Sequence, residues 1–415
     1  MKQIALRILQ TIIRFLARMV VARYKPTIVA ITGSAGKTST KEAIYAALSR
    51  FKRVRKSAKN FNNELGVSLA IIGEWERISS PVVFFWFRVI GSAISQILFP
   101  SSTYPEVLVL EYGADRAGDI DRLMDIARPD IAVISAIGII PVHVEFYAAG
   151  VEGVVREKSK LATKLPAGKC VFLNADDIHT PEIMKRTRAR VETFGFSENA
   201  TMRVFQFNHI YDKSTIRGAL CKVQKEGSIV PVTLPAVFSV SHGYAVTVAL
   251  LVAAEFGINI VSAGEALSDA YEAAEGRSRI IPGIKHTQVI DETYNSSPLA
   301  LETALKTLSL ITSRRRIAVL GDMLELGDYS LKAHEKAGKQ ILGAVDILIT
   351  VGPRARFIGN NAKKDGMKED MVYIFETAHE AKKVLQDIMK EGDIILVKGS
   401  RAIGLDIVLE EIVER

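Results

Sequence analysis

Residues 28–40 read IVAITGSAGKTST, and KEAIYAALSR follows directly. A β-branched run leads into Gly33, Gly36, Lys37 and a set of hydroxyl residues, and the continuation has the composition of a helix. A strand, a glycine turn and a helix N-terminus together turn backbone N–H groups and the positive end of a helix dipole toward an anion. Lys37 is placed to reach outer phosphates, and Thr38 to offer its hydroxyl to Mg²⁺. The stretch departs from the full G-x-x-x-x-G-K-[ST] pattern, because Ile31 stands where the first glycine would be. The shorter T-G-x-x-G-K-T form remains. A Gly/Ser turn that only caps a helix is the competing reading. The strand before it and the helix after it favour nucleotide binding.

A chain of 415 residues suits two or three domains, and 48% hydrophobic with 24% charged residues is the balance of a folded α/β protein. Cys170 and Cys221 are the only cysteines, and neither belongs to a C-x-x-C pair. A disulfide framework or a zinc site is therefore not expected, and a reducing cytoplasm is. The net charge of +8 does not indicate nucleic acid, because the surplus is local. No acid precedes Glu42, while Lys2, Arg7, Arg14, Arg18, Arg23 and Lys25 crowd the N-terminus.

MKQIALRILQTIIRFLARMVVARYK places polar residues at 3, 7, 10, 14 and 18, which predicts an amphipathic helix with a narrow basic stripe. Arginines interrupt the apolar stretch, which argues against a cleaved signal peptide and against a membrane span. A helix packed on the domain and a helix lying on an anionic membrane surface both stay open. Pro81 to Pro100, PVVFFWFRVIGSAISQILFP, is apolar apart from Arg88 and a few small polar residues. A span there would split one sheet across a bilayer. The segment reads instead as a helical excursion whose apolar side is buried in the protein, a partner subunit or the lipid interface.

Strand-like runs recur at 107–111, 131–135, 170–173, 287–291, 316–320, 346–351 and 394–397, with helical stretches between them. Continuous apolar strands alternating with amphipathic helices predict a mostly parallel α/β sheet covered on both faces. Residues 201–235 alternate polar and apolar positions and predict a small antiparallel patch. A fresh β-α alternation begins at Pro282 and predicts a Rossmann-like domain. The expected organisation is a basic helix at 1–26, a P-loop-type ATP-binding domain at 27–282 and a C-terminal domain at 283–415.

Glu111 ends a strand in LEYGADRAGDI, and His143 follows another in SAIGIIPVHVE. Ligand-binding residues of open α/β sheets gather beyond strand C-termini, so both are placed to face the P-loop. A carboxylate suits Mg²⁺ and a neutral imidazole can complete such a site, although alone either residue is more often structural. Lys158, in VVREKSKL, reads on spacing alone as a surface helix lysine. Asp291, Tyr294 and Asn295 in VIDETYNSSP follow a further strand, and Arg277 lies just before the expected linker, where it could meet phosphate across a closing cleft.

Together these motifs resemble the Mur ligases, the ATP-dependent amide-forming enzymes of peptidoglycan precursor synthesis. The matching pieces are TGSAGKTST, NFNNELGVSLAI (60–71), LEYGADRAGDI (110–120), HVEFYAAGVEGVVREKSKL (143–161), LNADD (173–177), EGRSRIIPGI (275–284), IDETYNSSPLALETAL (290–305), AVLGDMLELGDYSLKAH (318–334) and VKGSRA (397–402). The G-D-M-x-E-L-G element at 321–327 points to the branch that adds a D-alanyl-D-alanine dipeptide. The resemblance implies that Gly33, Ser34, Ala35, Gly36, Lys37, Thr38 and Ser39 hold ATP phosphates. It implies that Thr38 and Glu111 ligate one Mg²⁺ and that His143 helps bind a second. Lys158 falls where the family carries a carbamoylated, carboxylate-like metal ligand, the opposite of its bland reading. Asn174, Asp176 and Asp177 fall near the adenine and ribose contacts, and Arg277, Asp291, Tyr294 and Asn295 close over the nucleotide. The implied substrates are a muramyl peptide and a dipeptide, with no nucleic-acid partner.

The pattern also departs from the family. The P-loop strand starts near Thr27, so the family's N-terminal UDP-binding domain is expected to be absent, which questions a UDP-linked substrate. The H-N-x-x-N element is reduced to His242-Gly243-Tyr244-Ala245-Val246, the paired acid is Asp291-Glu292, and the insertion at 81–100 has no family counterpart. Three functions stay open: a ligase of the dipeptide-adding type, the same chemistry on a lipid-linked acceptor, and a membrane-associated P-loop ATPase switch. A cytoplasmic location, peripheral at the membrane through 1–25 and 81–100, goes with the first two.

Overall fold

Thr27–Thr32 forms β1, buried at every residue but the first. The computed structural model describes residues 2–58, 61–75, 77–311 and 314–414. Asn60, which opens the 60–71 motif, and the Lys2 and Arg7 side chains lie outside the described residues. The first sheet contains β1, β2 (Val54–Lys56), β3 (Val107–Glu111), β4 (Ile131–Ile134), β5 (Cys170–Asn174), β6 (Arg190–Gly195), β7 (Met202–Asp212), β8 (Thr215–Lys225) and β9 (Ser228–Pro235). Its spatial order is β2-β3-β1-β4-β5-β6-β7-β8-β9. Pairing is parallel as far as β7, and β7, β8 and β9 form an antiparallel meander. The antiparallel patch expected at 201–235 is thus an extension of the main sheet.

β1 lies between β3 and β4, with Ile31 paired to Glu111 and Thr32 to Ile134. This register brings Glu111 and Ser135 level with the turn after β1, at a switch point where an α/β sheet opens a crevice. Alternate strand residues serve opposite faces. Ile28, Ala30, Leu108, Leu110 and Ala132 pack in one core beneath α1 (Lys2–Tyr24), and Val29, Ile31, Val109, Val133 and Phe172 in another beneath α2 (Lys37–Leu48). The first core is shared by α3 (Glu64–Ile72), α4 (Val82–Leu98), α5 (Asp119–Ile126) and α6 (Gly150–Thr163).

The second sheet contains β10 (Arg279–Gly283), β11 (Thr287–Glu292), β12 (Arg316–Gly321), β13 (Ile347–Val351), β14 (Val372–Phe375) and β15 (Ile394–Lys398), in the order β10-β11-β15-β12-β13-β14. All pairings are parallel except β10 with β11. The Pro282–Gly283 position falls inside β10, which already pairs from Arg279 to Asp291. The two sheets are joined by a reciprocal amide exchange. Ile216 N donates to Gln288 Oε1 at 2.9 Å, and Gln288 Nε2 donates to Ile216 O at 2.8 Å.

The basic stripe expected on α1 is not its solvent face. Ile13, Leu16, Ala17 and Val20 are buried, Arg14 turns inward to Glu64 at 2.6 Å, and Ile8, Ile12, Phe15 and Met19 face outward. The helix has two apolar sides, and the polar positions fall largely along their edges. In α4, Phe85, Val89 and Ala93 are buried at helical spacing while Phe84, Phe87, Ile94 and Leu98 are exposed. Among the described residues no helix is long and apolar enough to cross a membrane. Phe172, fully buried on β5, is a sensitive probe of the first sheet. Phe172→Ala is expected to cost about 3–5 kcal/mol in urea unfolding, as large-to-small core changes do; a loss under about 1 kcal/mol would contradict this packing.

Candidate active site

The turn after β1 is held open by backbone geometry that only glycine accommodates. Gly33 has φ +147° and Gly36 +84°. A Cβ on Gly33 would meet Ser135 Oγ and lie 3.0 Å from Ala136 O. Gly36 precedes α2 with no side-chain cap, so the first amides of the helix face the crevice. Ser34 Oγ is buried without a hydrogen-bond partner, as a group aimed at a ligand would be. Lys37 Nζ donates to Gly33 O at 2.7 Å. Burial and the neighbouring Arg277 push its pKa below the ordinary lysine value, and Glu111 opposes them.

Thr38, Glu111 and Arg277 meet although they are far apart in sequence. Thr38 Oγ1 donates to Glu111 Oε2 at 3.2 Å, and Arg277 Nη2 donates to Thr38 Oγ1 at 3.4 Å. Lys41, one helical turn beyond Lys37 and fully buried, lies 3.6 Å from Glu111 Oε2. The sequence reading gave Lys41 no role, although i, i+4 spacing from Lys37 puts it on the same face of α2.

Lys158 is not the surface lysine its local spacing suggested. It is buried, with Nζ 3.3 Å from Gly33 O and 3.5 Å from Ala114 O. Burial first, and then the Lys37 charge, push its amine down to about 7. His143 has Nδ1 3.1 Å from Glu325 Oε2 and Nε2 3.5 Å from Asp115 Oδ1. Its pKa is pushed down to about 4, chiefly by burial, so the ring is neutral at physiological pH. His143 and Glu325 both hold left-handed backbone, at φ 68° and 64°. Two strained non-glycine residues facing each other across the cleft mark a functional locus. Glu325 lies in the G-D-M-x-E-L-G element and Asp115 in LEYGADRAGDI, but no signal within either motif shows that they converge on His143.

The remaining candidates line the same crevice with their polar groups committed to backbone. Asn174 Nδ2 donates to Ser135 O at 2.8 Å, and Asp177 Oδ2 accepts from Ile137 N at 2.6 Å and Gly138 N at 2.9 Å. Asp176 accepts from Phe196 N at 2.6 Å and Ser197 N at 2.9 Å. Asp291 accepts from Gly276 N at 2.8 Å, and Asn295 Oδ1 from Ser296 N at 2.8 Å. These five side chains shape loops. Tyr294 carries the Arg277 guanidinium 4.0 Å from its ring centre. His242 fixes the backbone of that arginine, with Nδ1 2.6 Å from Tyr271 Oη and Nε2 3.1 Å from Arg277 O.

Two spaces result, which share Gly276, Arg277 and Tyr294 in their walls. One of ≈ 470 Å³ includes Ser34, Ala35, Ser39, Lys158, Asp177 and Asn295 in its lining. The other, ≈ 1150 Å³, includes Thr38, Arg55, Trp75, Asp291, Tyr294 and Arg401. The four residues proposed as metal ligands divide into a Thr38–Glu111 pair and a His143–Lys158 side. Thr38 and Glu111 offer hard oxygens that suit Mg²⁺. Among the described residues, the one group of three His, Cys, Asp or Glu close enough to share an ion is Cys170, Glu192 and Glu255, elsewhere on the sheet. Its acids are already paired with Arg190, and Glu192 also with Lys225.

Comparison with known proteins agrees with this geometry. Residues 31–74 and 94–250 match the Mur ligase middle domain, and residues 276–401 match the Mur ligase, glutamate ligase domain. Between them these cover well over half of the chain, and the chain belongs to the Mur ligase family, whose members are ATP-dependent ligases. Its relatives include the UDP-N-acetylmuramoyl-tripeptide--D-alanyl-D-alanine ligase of Bacillus subtilis, 26% identical over 406 residues, spanning 97% of this chain and 79% of the relative. The Escherichia coli protein of the same name is 26% identical over 395 residues, spanning 93% and 77%. Among solved structures, the MurF ligase from Thermotoga maritima in complex with ADP has a TM-score of 0.77 at 24% identity, covering 97% of this chain and 83% of that one. A pseudomurein peptide ligase type C from Methanothermus fervidus has a TM-score of 0.65 at 17% identity, covering 94% and 79%. Both share the fold.

His242 supplies a pH test. Burial pushes its pKa to about 4, below the ordinary 6.5. The unfolded chain therefore takes up a proton below pH ~6.5 and the folded chain only near 4. The wild type should lose on the order of 3 kcal/mol relative to His242→Asn as pH falls through that window, with no such difference in slope above it. Urea titrations of both proteins at pH 7.5, 5.5 and 4.5 measure it, and parallel profiles would contradict the buried neutral ring.

Proposed function

We propose that this chain is a ligase of the MurF type, joining a D-alanyl-D-alanine-like dipeptide to the terminal carboxylate of a muramyl peptide at the expense of ATP. The observation that carries the reading is the reach of Arg277 to Thr38 Oγ1, with Glu111 behind it. It draws the segment leading into the second sheet over the P-loop, as a nucleotide shared between two lobes requires. The names of the relatives supply the acid and the amine.

The chemistry follows from the weakness of a carboxylate as an acyl donor. Its oxygen attacks the γ-phosphorus of ATP, ADP leaves, and an acyl phosphate forms. The dipeptide amine attacks the carbonyl carbon, loses a proton, and phosphate departs with the C–O bond electrons. The P-loop amides, Lys37 and Arg277 gather negative charge from both steps. Thr38 and Glu111 would hold Mg²⁺, which neutralises phosphate charge when bound. Neutral His143, held between Asp115 and Glu325, would complete a second ion site. Lys158 is poised for carbamoylation: an amine pushed down to about 7 is substantially neutral at physiological pH and can add to CO₂. A cytoplasmic location, on the membrane's inner face, goes with the exposed sides of α1 and α4. The same feature favours a second reading, in which the muramyl acceptor is lipid-linked.

Phosphate release should require ATP, dipeptide and acceptor together, and Lys37→Ala should lower it at least ~10²-fold, the scale of losing a preorganised charge at a reacting oxyanion. Release without acid and amine would instead indicate an ATPase. Offering UDP-linked and lipid-linked tripeptide side by side separates the two acceptor readings. Lys158→Ala should lose activity that short carboxylic acids partly restore, and full activity without them would remove the carbamate assignment.

A further inference from the structure

We propose that α1 and α4 together form a docking face for an anionic lipid surface, which rests on, and deepens, the lipid-linked reading of the acceptor. The helices lie side by side on one core, tied where Tyr24 Oη donates to Gln96 O at 3.1 Å and accepts from Ser101 N at 3.0 Å. Tyr24 also stacks on Tyr104 with ring centres 4.0 Å apart. Their inner faces are filled, so the outer residues are not waiting for a place in the core.

The outer residues are large and apolar. On α1, Ile8, Ile12, Phe15 and Met19 recur every three or four positions, with Phe15 61% exposed. On α4, Phe84, Phe87, Ile94 and Leu98 form a stripe, with Phe84 63% and Phe87 69% exposed. Water-facing aromatics on adjoining helices are rare without a partner. Much of this surface also lies outside the common family pattern, because the matched segments begin at residue 31 and omit residues 75–93.

Charge identifies the occupant. Residues 1–41 and 78–105 contain no aspartate or glutamate. Arg18, Arg23, Lys25 and Arg88 are exposed on or beside the two helices. Basic residues around an apolar stripe, on helices unable to cross a bilayer, are the arrangement that lies in an anionic interface. A second copy is a poor occupant, because a two-fold contact would bring the exposed Arg18, Arg23, Lys25 and Arg88 of both copies together and juxtapose like charges.

The face also borders the cleft. Phe85 of α4 meets Trp75 edge-on at 5.3 Å, and Arg88 lies 5.6 Å from the Trp75 ring centre. Trp75 lines the ≈ 1150 Å³ space that reaches Thr38 and Arg277. An acceptor held in the membrane by a lipid tail would thus meet the cleft at the edge nearest the bilayer.

The test uses the full-length protein and vesicles of phosphatidylcholine alone or mixed equally with phosphatidylglycerol. Sedimentation should occur with the mixed vesicles, weaken with added salt, and fall about tenfold or more in Phe84→Ser/Phe87→Ser. Ligase turnover on a soluble acceptor without vesicles should be the same in both proteins, which keeps a failure of docking distinct from a failure of the reaction. The chain has two tryptophans, and both pack half-buried against Phe85 of α4, Trp75 at 5.3 Å and Trp86 at 5.0 Å between ring centres, so brominated lipid seated on α4 should quench wild-type fluorescence without any substitution. Absence of quenching, equal binding to neutral vesicles, or a dimer that the double substitution dissociates would each overturn the proposal.

Discussion

Three cations, Lys37, Lys41 and Arg277, are drawn together around Glu111 at the end of β3, and the Lys158 amine is buried beside them against Gly33 O. Burial disfavours the charged forms of Lys37, Lys158 and Arg277, and Lys37 is further opposed by Arg277 and Lys158 by Lys37. Such a cluster cannot assemble from side-chain attraction. It exists because two sheets and their helices place it there, at a cost offset by the apolar cores on either side of each sheet. A bound polyanion relieves that cost, so folding energy is held in a form that nucleotide binding can recover.

The rest of the site is arranged around keeping this cluster in register. Gly33 sits against Ser135 and Ala136 and fixes the height of the turn. Asn174 and Asp177 tie the loops after β4 and β5 to each other, and Asp291 and His242 hold the backbone on either side of Arg277. The loops after β1, β4 and β5 carry one wall of the crevice, and the segment leading into β10 brings the arginine to the other.

Much of this was legible in the chain. The P-loop and seven strands stood out because strands buried on both faces are written as continuous apolar runs. β2, β10 and β14 escaped because they are short edge strands, and β6 because RVETFG carries polar residues on a half-covered face. Lys158 was misread by local spacing, since the face α6 buries is chosen by the P-loop packed against it. The meeting of His143 with Asp115 and Glu325 joins residues over a hundred and eighty positions apart at its extreme, and no local pattern encodes it. The second apolar side of α1 was hidden because two apolar sides with polar edges yield the same periodicity as one apolar side.

The Gln288 amide exchange with Ile216 has a mechanical consequence. It clamps the start of β11 to β8, while Asp291, which pairs with Arg279 and holds Gly276 N, lies three residues further along the strand, roughly 10 Å away. The backbone just beyond Arg277 is tied to the first lobe as well, where Phe238 N donates to Ser278 O at 3.0 Å and Ile280 N to Ala236 O at 2.8 Å. A movement of Arg277 away from the P-loop therefore strains these backbone hydrogen bonds as well as the glutamine pair, and the arginine is moored at two points.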